Sequence, residues 1–164
     1  MRVCCLFLLL VWGAAAQAQD PHIQRLGQEL HSREQGLRMQ AARSLGLAGE
    51  AQSVLLLRQA LPGERSAAVR LEIVRALRNI VFLRYPGYPE ALRVLQEESS
   101  DGAEADELVR LKATEALWEA GKKDLLDPVP VLRRNLGDRS QRLRLAAVEM
   151  LGKLGTPATI KALG

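Results

Sequence analysis

Two histidines, His22 and His31, and an acidic run from Ser99 to Glu107 are the first places in this 164-residue chain where metal chemistry could arise. The histidines stand nine residues apart, not at the i, i+4 spacing that puts two imidazoles on one helix face, so they read as solvated residues. Ser99, Ser100, Asp101, Glu104, Asp106 and Glu107 offer the oxygen ligands that a hard cation takes, but without calcium-loop spacing, and they read as an acidic linker. No Gly-x-Ser-x-Gly, Walker or dinucleotide fingerprint is present, and no nucleophile stands beside a base. The sequence therefore nominates no catalytic residue, no metal ligand and no cofactor. What it carries instead is arginine at a repeated phase: Arg38, Arg70, Arg110 and Arg144. A guanidinium is a planar fork of donors that grips a carboxylate or phosphate bidentately. Six residues upstream of the arginine stand Glu64, Glu104 and Asp138 in copies two to four, with Ser32 in the first.

These arginines need helices to hold them in phase. With Leu37, Val69, Val109 and Leu143 as position one, apolar or small residues recur at positions five, six, nine and twelve. Position nine is always leucine: Leu45, Leu77, Leu117 and Leu151. Steps of four, one, three and three trace one stripe of an α-helix and cannot come from an alternating strand. Gly49, Gly121 and Gly155 close three of the copies where a left-handed C-cap is expected, while the second runs on through Val81 and Phe82. Ser66, Asp106 and Ser140 stand four residues before the arginine as N-caps, with Glu34 or Ser32 in the first copy. A second set of helices lies between, announced by Asp20-Pro21, Asp127-Pro128, Thr156-Pro157 and, more weakly, Tyr88-Pro89. The unit is helix A, a tight turn, helix B.

The first eighteen residues read as a leader and not as fold. Arg2 gives a positive start, Val3 to Trp12 is an apolar run, and cleavage after Ala16 or Ala18 fits the small residues of a signal peptidase site. The run is well short of the ~20 residues of a spanning helix, and no second hydrophobic segment follows. Cys4 and Cys5 leave with the leader, so the mature chain excludes disulfides, thiolate catalysis and cysteine-bound zinc. Losing Arg2 lowers the formal charge from +4 to +3, a surplus too small to imply nucleic acid.

Successive arginines are 32, 40 and 34 residues apart. The best copy runs Leu136-Gly-Asp138-Arg-Ser140-Gln-Arg-Leu143-Arg144-Leu-Ala-Ala147-Val-Glu-Met-Leu151-Gly152-Lys-Leu154-Gly155. It resembles the short HEAT-like repeats named after the phycobilisome lyases, with their acidic turn, Val-Arg pair and Ala-Leu-Gly-x-Leu-Gly ending. The resemblance covers roughly Pro21 to the C-terminus and implies an all-α, right-handed α-α superhelix. That HEAT-like solenoid would hold about four helix-pair repeats, at 21–49, 51–82, 88–121 and 127–155, plus a terminal helix at 157–163. The second copy departs by lacking the closing glycine, and the third has Trp118 where the family usually places glycine. The resemblance also implies that Glu64, Glu104, Asp138 and the arginines form a ladder tying each repeat to its neighbour. The rival reading is an arginine stripe on the concave face that receives carboxylates or phosphates.

The function these features imply is an exported scaffold or adaptor, periplasmic or secreted, that binds a protein or peptide partner without catalysis. Tyr85 and Tyr88, in a Pro-Gly insertion between two helices, and Trp118 are the candidate contact residues, because exposed aromatics anchor interfaces. The bland alternative is that all three cover nearby core. Thr156 to Leu163 reads as a helix A with no helix B after it, in which Ile160 and Leu163 cap copy four, unless the chain is a fragment or this end meets a partner or a second copy of itself. The family name supplies one alternative, a bilin lyase or isomerase-like enzyme, and the arginines another, nucleic-acid binding.

Overall fold

The structure is a computed structural model, and it describes residues 20–100, 106–122, 127–155, 157, 160 and 161. Within these residues the chain is helical, with no strand: α1 (Pro21–Glu29), α2 (Gln35–Ala48), α3 (Ala51–Ala60), a 3₁₀ turn (Leu61–Gly63), α4 (Ala67–Phe82), α5 (Tyr88–Ser99), α6 (Glu107–Glu119), α7 (Val129–Leu136) and α8 (Gln141–Leu154). The expected leader at 1–18, Glu104 and most of the expected terminal helix at 157–163 lie outside the described residues.

The arginine-bearing helices stack in order, α2 on α4, α4 on α6 and α6 on α8, and the helices before them form a second layer, α1 on α3 and α3 on α5. Consecutive helix pairs packed in two layers are an α-solenoid, as the repeat spacing required. The core sits between the layers. Ala41, Ala42 and Leu45, Ile73, Val74, Leu77 and Ile80, and Ala113, Thr114 and Leu117 are all buried, so the repeated stripe is the face that turns inward. Small residues let the helices come close: a Cβ added at Gly46 of α2 would lie 2.7 Å from the Ala76 Cα of α4. The stripe fails in the last copy, where Val148 is 54% exposed and Met150 is buried in its place. Among the described residues no full helix follows α8 to cover that side.

The expected caps are met unevenly. Gly49 and Gly121 take the left-handed conformation, with φ of 67° and 75°. Gly155 does not, at φ −57°, so α8 ends without the glycine turn that the sequence suggested. The Asp106 carboxylate accepts from the amides of Leu108 and Val109, and Asp20 from that of His22. Ser66 and Ser140 hold the N-cap positions, but their hydroxyls cap nothing. Their amides instead donate to the carboxylates of Glu64 and Asp138, both at 2.7 Å. A carboxylate accepts that amide hydrogen bond more strongly than a neutral hydroxyl would.

Candidate functional site

Each described turn between helices A and B is closed by the arginine that follows it. Nη1 donates to the backbone carbonyl six residues back: Arg38 to Ser32 at 2.9 Å, Arg70 to Glu64 at 2.7 Å and Arg144 to Asp138 at 2.9 Å. The other edge of the guanidinium reaches forward to the next repeat. Arg38 engages both carboxylate oxygens of Glu64, and Arg70 meets Asp106 at 3.4 Å. Burial alone would push the Glu64 carboxyl up. The hydrogen bond from Arg38, the Ser66 amide and the charges of Arg38 and Arg70 outweigh it and hold the group below its ordinary value. Arg110 is buried and lies 3.3 Å from Glu107, whereas no pair joins it to Asp138 among the described residues. Arg134 instead crosses from α7 to Glu107 at 3.4 Å.

The aromatics expected to be presented are packed. Tyr85, Tyr88 and Trp118 are half-buried against the core. The insertion folds back because the Gly87 amide donates to the Gly49 carbonyl at 2.8 Å and the Tyr85 ring closes on Gly49, where a Cβ would collide with it. The Arg84 guanidinium, whose own backbone is left-handed at φ 57°, sits 5.0 Å over the Tyr88 ring.

A second set of charges crosses the outer side of α2, α4, α6 and α8, and sequence reading missed it. Arg43 of α2 bonds Glu72 of α4 at 3.0 Å, Arg78 of α4 bonds Glu119 of α6 at 2.5 Å, and Lys153 of α8 bonds Glu115 of α6. Arg43 and Glu72 are position seven of one copy and position four of the next. That register breaks at the following junction, where the same positions hold two cations, Arg75 and Lys112, and at the last, where position four is Ala146. There a groove of about 530 Å³ opens across α4, α6 and α8. Leu71, Leu108 and Leu145 supply its apolar surface, Arg75, Lys112 and Arg142 its cations, and Glu149 its single carboxylate. Leu145 is 56% exposed, an apolar side chain open to solvent in a charged frame. The signal was present in the positions four and seven, but it is visible only once the helices are laid side by side.

Among the described residues no cluster of three histidine, cysteine or acidic side chains could hold a metal, and no helix is long and apolar enough to cross a membrane. A family model described as HEAT repeats matches residues 23–105 and 100–164. No curated protein matches the chain.

Proposed function

The chain belongs to the HEAT-repeat family, and from that premise we propose that it is an exported, non-catalytic scaffold or adaptor that binds a protein or peptide partner through the face formed by α4, α6 and α8. HEAT repeats commonly mediate protein interactions. The observation that supports a partner on this face is the groove itself, a concavity with three leucines and three cations drawn from three consecutive repeats. A rigid stack presents such a surface without an ordering cost, which is what preorganised binding requires. Tyr85, Tyr88 and Trp118 then act by fixing the repeats that frame it. The Met1 to Ala18 leader supports a periplasmic or secreted location.

A photoreactive residue placed at Leu145 in the native host tests this. Discrete protein adducts in the envelope or secreted fraction, absent when the same group sits at Leu55 of α3, are the expected outcome; Leu55 is also exposed, at 41%. Recovery of a pigment in place of a protein, or a protein retained in the cytoplasm at its full 164-residue mass, would overturn it.

A further inference from the structure

We propose that the groove across α4, α6 and α8 receives an acidic peptide segment that also bears apolar side chains. This rests on the scaffold reading and names the chemistry of the partner. The charges beneath the groove carry the argument. Arg75 and Lys112 each have a carboxylate nearby, Glu72 at 3.3 Å and Glu115 at 2.7 Å. Both carboxylates are buried, and each is shared with a second cation from a neighbouring repeat: Glu72 with Arg43, Glu115 with Lys153. With Glu119, which Lys153 meets at 3.6 Å and Arg78 also engages, three carboxylates thus serve five cations. Arg142, the third cation of the groove, has no ion pair among the described residues.

Against these three cations the groove sets one carboxylate, Glu149. Its surface is left electropositive, with side chains that are long enough to follow an incoming carboxylate; the Arg75 side chain is 69% exposed. The leucines determine the rest. A free anion or a phosphodiester backbone would gain nothing from the open Leu145, with the nearly buried Leu71 and Leu108 beside it, whereas an apolar side chain laid against it leaves water favourably. Acidic side chains at the rim with leucine-like side chains between them use both parts of the surface.

Selection of a random peptide library on the purified full chain tests the inference, with binding of the recovered peptides then measured on Arg142→Glu and on Arg75→Glu/Arg142→Glu. Both side chains are exposed, and circular dichroism and a melting curve establish that the variants remain folded. The expected result is enrichment of Asp and Glu interspersed with Leu, Ile or Phe. Binding should weaken as salt rises and fall at least ~10-fold in Arg142→Glu, as for the loss of a desolvated charge contact. A neutral or basic consensus, or an acidic one indifferent to Arg142→Glu, overturns the inference and leaves the scaffold reading standing. Tighter binding of a random DNA duplex, also weakened by Arg142→Glu, overturns it in favour of nucleic acid. No enrichment overturns it as well, and the scaffold reading is then decided separately by the Leu145 cross-link.

Discussion

Arg38 on α2 holds both carboxylate oxygens of Glu64, Nε at 2.6 Å and Nη2 at 3.1 Å, across the junction between the first two repeats. Glu64 in turn receives the Ser66 amide at the start of α4, and its backbone carbonyl receives Arg70. One residue therefore ties the end of one repeat to the turn of the next. Its side chain is 7% exposed, so the pair is shielded from most of the screening that makes surface ion pairs weak.

Glu64→Gln keeps the shape and removes the charge, and it should cost about 1.5–3 kcal/mol at neutral pH, the range for a hydrogen bond to a charged group. The folded carboxyl titrates below the unfolded value of 4.5, so its contribution is complete above that pH and is lost as pH falls through the lower folded value. Urea unfolding of both proteins over that range should show the gap between them closing in acid. A gap that stays constant would mean that the side chain acts through packing alone.

Gly49 and Tyr85 make a second lock. The left-handed φ of 67° at Gly49 disfavours any side chain, and the Tyr85 ring occupies the space that a Cβ would need. Gly49→Ala should lose about 1–3 kcal/mol, whereas Gly63→Ala, with nothing within 4 Å of its added carbon, should stay near wild type. Similar small losses at both sites would show that the insertion moves aside freely.

The fold was legible because one stripe with leucine at position nine recurs four times, and a period of that kind has only a helical reading. Two of the turns were legible for the same reason, since an acidic residue six positions before Arg70 and Arg144 is a local relation. The groove was not. Arg75, Lys112 and Arg142 come from three helices, and their shared surface depends on which positions face each other across junctions that are 40 and 34 residues long. The packing of the tyrosines was hidden for a related reason. A Pro-Gly segment announces a loop, but it does not reveal that Gly49, 36 residues earlier than Tyr85, receives the ring.

Gly46→Leu tests the closeness of α2 and α4. The added side chain would meet the Ala76 backbone, which cannot rotate away as a side-chain tip can. Helices pushed apart lose contacts along their whole length, so a penalty of about 1–3 kcal/mol or more is expected, with a lower melting temperature. Gly152→Leu, at the equivalent position of α8 with nothing within 4 Å, is the control and should be nearly silent.

Glu115 offers a test of how stability is distributed along the stack. Burial pushes its carboxyl up, but hydrogen bonds from Lys112 and Lys153 prevail and hold it below the usual range, which joins α6 to α8. Glu115→Gln leaves both lysines short of a counter-charge and should cost about 1–3 kcal/mol. In a solenoid each repeat contacts only its neighbours, so the loss belongs to one junction and does not spread evenly. Hydrogen exchange should therefore quicken in α8 and the C-terminal half of α6 while α2 keeps its protection. Uniform acceleration across α2, α4, α6 and α8 would show instead that the four repeats unfold as a single cooperative unit.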